Sequence, residues 1–136
     1  MKVVSRKQFL LFAGLEFAAI LVTILAFALI KIRPVASIVA AAPFIFVGLY
    51  IIWVLWRTHR PLQFATFYLA ILHVALTTFI GVQRVLFWDL PLEQITLFDI
   101  PLPVLHKVAQ ACFWILIAAT YVDMYREQKR STLHPT

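Results

Sequence analysis

Two ionisable side chains stand inside long apolar runs of the sequence, and they are the first candidates for chemistry. Glu16 lies in the run 9–30 and His73 lies in the run 62–88. A carboxyl and an imidazole can each exchange a proton, and each is costly to place in hydrocarbon. If Glu16 and His73 met inside a helix bundle, they could relay protons or bind a cation. They could equally form a polar link that holds two helices together.

The run 62–88 carries more polar chemistry than any other apolar run. At about 100° per residue, one narrow face of a helix there collects the following residues: Thr66, Ala70, His73, Thr77 and Arg84. Lipid offers no hydrogen-bond partner, so this face is predicted to turn toward protein or a wet cavity. Thr77 follows His73 by one helical turn and could satisfy its imidazole locally.

Four polar side chains within the apolar runs are the candidates for proton or ion transport: Glu16, His73, Thr77 and Gln110. Gln110 belongs to the fourth run, 104–125. It shares a helical side with Phe113 and Thr120, and we expect that side to face the interior of the bundle.

A second group of charges surrounds the loop 89–103. Its members are Arg84, Asp89, Glu93 and Asp99. We expect Arg84 to reach the lipid headgroups or to pair with one of the three carboxylates. The loop is predicted to be a short turn or helix on the membrane surface, and it could also act as a lid or as a docking surface for a partner.

The composition places the chain among integral membrane proteins. Hydrophobic residues make up 63% of the 136 residues and charged residues 13%, whereas a soluble domain carries roughly a quarter charged residues. The formal net charge of +6 arises from Lys and Arg near the ends of apolar runs, where membrane topology and anionic headgroups explain them. The expected partner is therefore the lipid bilayer and not nucleic acid. The single cysteine, Cys112, excludes an internal disulfide.

Four apolar runs, each about 20 residues long, could each cross the hydrocarbon core once. The sequence therefore predicts an all-α integral membrane protein, with one domain over 1–136 and four transmembrane helices in an antiparallel bundle. The predicted helices cover about 8–30, 35–56, 62–88 and 104–125, and an outer loop covers 89–103. The tail from Asp123 onward is polar and is expected to fray.

The distribution of Lys and Arg predicts the orientation of the bundle. With both termini inside, the inner side holds eight such residues: Lys2, Arg6, Lys7, Arg57, Arg60, Arg126, Lys129 and Arg130. The outer side holds four: Lys31, Arg33, Arg84 and Lys107. We therefore expect cytoplasmic termini and a multi-pass location in the plasma or inner membrane.

Small residues mark faces suited to close helix packing. Gly14 and Ala18 form a small-xxx-small pair in the first run,. Ala41, Phe44 and Gly48 share a face of the second run, which we interpret as close-packed scaffold. Together, the small-residue faces of the first two helices are more extensive than the helix contacts within one small bundle obviously require.

The sequence contains no HExxH, CxxC, GxSxG or phosphate-loop pattern,. A bis-histidine haem needs two imidazoles at similar depth, and the predicted depths of His59, His73 and His106 differ by on the order of 10 Å. We therefore expect no enzyme activity, no cofactor and no metal site.

The short chain, the four apolar runs and Glu16 in the first of them resemble the small multidrug resistance transporters. The glycine-rich third helix of that family is missing here, and its pattern contains no counterpart of His73. The favoured hypothesis is a non-enzymatic membrane protein that acts as a homo-oligomer or as a subunit or accessory of a membrane complex. The alternative is a proton-coupled small-molecule or ion transporter or channel that uses Glu16 and His73.

Overall fold

Four long helices make up most of the computed structural model, which describes residues 4–58 and 60–133. They are α1 (Arg6–Leu29), α2 (Arg33–Trp56), α3 (Ala65–Leu86) and α4 (Leu102–Leu133). Each is long and apolar enough to cross a membrane. The predicted helical fold with four such helices is confirmed.

The helices form a closed ring, because each packs against the next along the chain and α1 also packs against α4. The contacts between successive helices make them antiparallel; on α3 and α4, for example, Thr66 meets Asp123 and His73 meets Phe113. The start of α1, the end of α4 and the connection from α2 to α3 therefore share one end of the bundle, which we call the terminal end. The connection from α3 to α4 lies at the opposite end, which we call the hairpin end.

Local sequence explains where the first two helices begin. Ser5 accepts a hydrogen bond from the Gln8 backbone at 3.3 Å, and the Gln8 side chain accepts one from the Ser5 backbone at 2.7 Å. This reciprocal capping box satisfies two backbone donors at the start of α1. Pro34 occupies the first turn of α2, where its missing N–H would have no helical partner.

The boundaries of the third and fourth helices differ from the prediction. Residues Pro61–Gln63 form a separate 3-10 turn and α3 begins only at Ala65, since Phe64 is extended and breaks the helical path. α4 begins at Leu102 and continues to Leu133, so the tail that was expected to fray is helical from Asp123 to Leu133; residues 134–136 lie outside the described part of the chain. The extension is rich in Arg, Lys, Glu and Gln, which are good helix formers.

The predicted loop 89–103 contains more than a surface turn or helix. After a 3-10 turn at Leu92–Gln94, two short antiparallel strands, β1 (Thr96–Leu97) and β2 (Ile100–Pro101), form a small hairpin. Phe98 and Asp99 have positive φ values of 47° and 63°, as a tight two-residue hairpin turn requires. The Leu102 amide donates to the Ile95 carbonyl at 2.8 Å, which ties the loop to the start of α4.

The core consists of large apolar side chains from all four helices. Fully buried examples are Phe12 on α1, Leu55 on α2 and Leu116 on α4. Gly48 on α2 is buried against α3, and a Cβ at this position would collide with Val74. The close-packed face predicted for the second run is therefore used between α2 and α3.

The outer surface of the bundle is also apolar. Leu29 is 75% exposed and Phe46 is 71% exposed. Helices that are apolar on all sides are typical of a membrane environment.

Candidate functional site

Eight polar side chains are buried among the described residues. One, Thr58, follows the end of α2 and donates to the Leu55 carbonyl; the other seven lie on α1, α3 and α4, and we call them the polar column: Glu16, Thr66, His73, Thr77, Arg84, Thr120 and Asp123. Those on α3 are the polar members of the stripe predicted from helical periodicity. The inward orientation predicted for Glu16, Thr66, His73 and Thr77 is therefore confirmed. Thr23 is half-buried, and its hydroxyl lies 2.9 Å from the Ala19 carbonyl and 3.3 Å from the Ala40 carbonyl on α2.

Asp123 on α4 lies at the terminal end of the column and holds the start of α3. Its Oδ2 accepts a hydrogen bond from the Thr66 amide at 2.9 Å and one from the Thr66 hydroxyl at 2.8 Å. The residue at the usual capping position, Phe64, has no side chain that could accept these bonds. Asp123 therefore caps α3 from a neighbouring helix and places a carboxylate where the helix dipole favours one.

Asp123 is not among the site residues predicted from the sequence, because the polar residues that follow it indicate a tail. The pattern did contain a signal. Asp123 follows Leu116 and Ala119 at helical spacing on the same side of α4, and both are buried.

Glu16 joins α1 to α4 through Thr120. The Glu16 side chain is fully buried, and its Oε1 accepts a hydrogen bond from the Thr120 hydroxyl at 2.9 Å. The same hydroxyl lies 3.0 Å from the Leu116 carbonyl. Because Thr120 is one turn from Asp123 on α4, two carboxyl groups occupy adjacent levels of the column near the terminal end.

His73 lies deeper in the bundle, between aromatic rings. Its Nε2 is hydrogen-bonded to the Thr77 hydroxyl at 3.3 Å, which is the local partner that the sequence indicated. The imidazole centroid lies 4.9 Å from the ring of Phe113 and 5.7 Å from that of Phe44. The backbone of Ala109 lies beside the ring, outside hydrogen-bond geometry to Nδ1. The site encloses the imidazole in aromatic side chains.

Arg84 ends the column near the hairpin end. Its Nη1 donates to the Leu90 carbonyl at 2.8 Å, and its side chain is buried. Asp89, Glu93 and Asp99 are exposed, and none forms an ion pair within 4.0 Å in the part of the chain that is described. The ion pair considered for Arg84 is therefore absent there, because the guanidinium turns inward to a backbone carbonyl.

Glu16 and His73 are not brought together. Each has a different hydrogen-bond partner, Thr120 and Thr77 respectively, and no hydrogen bond or ion pair within 4.0 Å joins these two described side chains. Thr66 marks the level of Asp123, and His73 lies seven residues further along α3, roughly 10 Å along the axis. Glu16 lies between these levels, opposite Thr120.

The inward orientation predicted for Gln110 is wrong. Its side chain is exposed, and among the described residues we find no hydrogen bond to it. The buried side of α4 is centred on Cys112, Leu116 and Asp123, so Gln110 is rotated onto the outer surface.

Four buried polar atoms in the column lack a hydrogen-bond partner among the described residues: Glu16 Oε2, His73 Nδ1, Arg84 Nε and Asp123 Oδ1. Such atoms are rare in folded interiors. The two carboxyl oxygens and the imidazole nitrogen could each take a proton or bind a water, whereas Arg84 Nε–H can only donate a hydrogen bond. They do not form a metal centre, since no group of three or more His, Cys, Asp or Glu side chains with suitable geometry occurs within residues 4–58 and 60–133.

The other histidines considered from the sequence do not join His73 in the described part of the bundle. His73 is buried and His106 is exposed, while His59 lies outside the described residues. No family model matches the chain, and no match is found among curated proteins or solved structures.

Proposed function

We propose that the chain is a multi-pass protein of the plasma or inner membrane, with both termini in the cytoplasm. In this proposal it works without catalysis, as a homo-oligomer or as a subunit or accessory of a larger membrane complex. The observation that carries the proposal is the position of Gln110 on the outer surface of α4.

Gln110 lies eight residues after the start of α4, roughly 12 Å along the helix axis. A hydrocarbon core is about 30 Å thick, so an α4 that begins near one surface carries this side chain toward the midplane. The next outer position on the same face, Trp114 one turn along α4, is 58% exposed,. An amide among such side chains has no partner in lipid, whereas a helix of a second chain could supply one.

The outer surface of α1 supports the same proposal. Gly14 and Ala18 are exposed, and a Cβ added to Gly14 would meet nothing within 4 Å. Gly48, in contrast, is used inside the bundle. The Gly14–Ala18 face is thus free to let a second helix approach closely, as small-xxx-small faces do in membranes.

The polar column is consistent with a structural role for the interior. Asp123 caps α3, Glu16 links α1 to α4, and Arg84 holds the loop through Leu90. Each contact joins two elements of the same chain, so the interior stabilises the bundle while the outer faces remain open to partners.

Native mass spectrometry of the protein released from nanodiscs tests this proposal. The wild type should appear as an oligomer or with a second membrane protein. Gln110→Leu should shift the population toward the monomer, and Gln128→Leu is the matched control because it removes an exposed amide from the polar extension of α4. A wild-type monomer without any bound protein would overturn the assembly proposal.

The orientation is tested separately with topology reporters. A reporter fused after the C-terminus should be active in the cytoplasm, and one inserted into the β1–β2 turn should be active outside. An externally active C-terminal fusion would defeat the proposed orientation without affecting the assembly proposal.

The second candidate function is proton-coupled transport, and the three titratable unpartnered atoms of the column favour it: Glu16 Oε2, His73 Nδ1 and Asp123 Oδ1. Glu16 and His73 are not hydrogen-bonded to each other, so a proton would have to pass between them through water. Glu16→Gln keeps the shape and removes the titration, and it should abolish proton flux in liposomes if this candidate is correct. A wild type that carries no flux under an imposed pH gradient would contradict it.

A further inference from the structure

A cleft at the terminal end of the bundle combines an apolar wall with a positive charge. Its volume is about 490 Å³, and it is lined by Trp56, Arg60, Pro61, Leu62 and Gln63. Trp56 is 67% exposed and Leu62 is 64% exposed. The cleft therefore presents two large apolar side chains next to a guanidinium.

The extension of α4 adds more positive charge beside this cleft. Arg130 donates to the Gln63 side chain at 3.0 Å, which places a second guanidinium at the cleft wall. Arg126 lies 4.0 Å from Asp123, the residue that holds Thr66. Glu127 lies 3.6 Å from Arg130 and is the acidic neighbour of this group.

We propose that this cleft binds one anionic phospholipid, with the phosphate accepting hydrogen bonds from Arg60 and Arg130 and an acyl chain lying along Trp56 and Leu62. Guanidinium groups bind phosphate through parallel hydrogen bonds. Tryptophan is typical of the membrane–water interface, where headgroup and acyl chain meet. The inference is independent of the proposed assembly.

The apolar wall favours a lipid over a free phosphate ion. Trp56 stacks on the ring of Phe67, with centroids 6.0 Å apart, so its indole is held beside the cleft. Trp56 and Leu62 offer nothing to an inorganic ion, whereas a hydrocarbon chain would cover both. The arginines in turn favour an anionic headgroup over a zwitterionic one.

Lipid binding to the full chain in detergent tests this proposal by native mass spectrometry, with thermal unfolding as a second readout. Phosphatidylglycerol should bind and raise the unfolding temperature. Phosphatidylcholine should bind at least several-fold more weakly, and inorganic phosphate should leave the unfolding temperature unchanged. Equal binding of the two lipids, or equal stabilisation by phosphate, would overturn the proposal.

Variants locate the site. Arg60→Gln and Arg130→Gln should each lower the affinity for phosphatidylglycerol about fivefold, the usual effect of one basic residue near an anionic surface. Leu62→Glu should also weaken binding although every arginine is retained. Arg33→Gln and Lys107→Gln, which change exposed charges at the hairpin end, are the matched controls and should bind as the wild type does. Unchanged affinity in the cleft variants, or an equal loss in the controls, would refute the site.

Discussion

Glu16 and Gln110 are polar side chains on neighbouring helices, but they differ in burial and in hydrogen bonding. Glu16 is fully buried and accepts a hydrogen bond from Thr120. Gln110 is exposed, and no partner for it is found in the described part of the chain. Most polar side chains of the interior thus have hydrogen-bond partners within the chain. Gln110, which lies on the outer surface, needs a partner from another molecule.

The same contrast separates two glycines. Gly48 lies where α2 and α3 approach closely, while Gly14 faces open space on α1. Residue type alone therefore does not distinguish a contact inside the chain from a surface that could receive another chain. The predictions below test this division between interior and exterior.

The largest effect is expected at Asp123. Asp123→Ala removes the acceptor of two hydrogen bonds from Thr66 and leaves both donors buried, so it should lower the free energy of unfolding by about 3 kcal/mol. Unfolding in mixed detergent micelles measures this change. Asp123→Asn retains an acceptor oxygen and should lose roughly half as much; an alanine variant as stable as the wild type would rule out the cap.

A smaller effect is expected from paired glycine substitutions. Gly48→Ala forces Val74 and the α2–α3 contact to shift, and it should destabilise the bundle by about 2 kcal/mol. Gly14→Ala meets no neighbour and should leave the stability of the monomer equal or slightly higher. An equal loss of unfolding free energy in the two variants would contradict the assignment of Gly14 to the outer surface.

The link between α1 and α4 should contribute less. Thr120→Val removes the hydroxyl that Glu16 accepts from and should lower the free energy of unfolding by about 1 kcal/mol, a typical value for a hydrogen bond between apolar helices. Adding Glu16→Leu to this variant should restore part of the stability, because it removes the buried carboxyl that lost its partner. The loss of unfolding free energy in the double variant should be smaller than the two single losses added together. A larger loss would show that the hydrogen bond to Thr120 is not the reason for the burial of Glu16.

The smallest effect on the isolated chain is expected at Gln110. Gln110→Leu should change the stability of the monomer by no more than about 0.5 kcal/mol, since the side chain contacts little within the bundle. The same variant should weaken assembly. A large loss of monomer stability would show that Gln110 lies in the interior. Gln110 would then again be a candidate residue for proton or ion transport.

Much of the fold could be predicted from the sequence because apolar length determines the number of helices and periodicity orients α3. The stripe from Thr66 to Arg84 stands out, since the other faces of α3 are apolar. On α4 apolar residues occur all round, so periodicity could not decide whether the side of Gln110 or that of Asp123 faces inward. Packing against the neighbouring helices α1 and α3 buries the side of Asp123 and leaves that of Gln110 exposed.

The candidate site was only partly predictable for the same physical reason. Helical spacing identified the local pair His73 and Thr77. The contacts Asp123 to Thr66 and Glu16 to Thr120 join residues 57 and 104 positions apart, which no local pattern can pair. Arg84 was expected to reach the lipid headgroups or to pair with a carboxylate, but its Nη1 donates to the Leu90 backbone carbonyl.

Photo-crosslinking in intact membranes tests the central claim most directly. A benzophenone side chain at position 114 lies on the outer side of α4 near Gln110, and one at position 72 on α3 is the control. The account predicts a crosslinked membrane protein, either a second copy or another subunit, at position 114 but not at position 72, and its loss when Gln110→Leu is added. Crosslinks to lipid alone at both positions would contradict the claim that α4 carries an assembly surface.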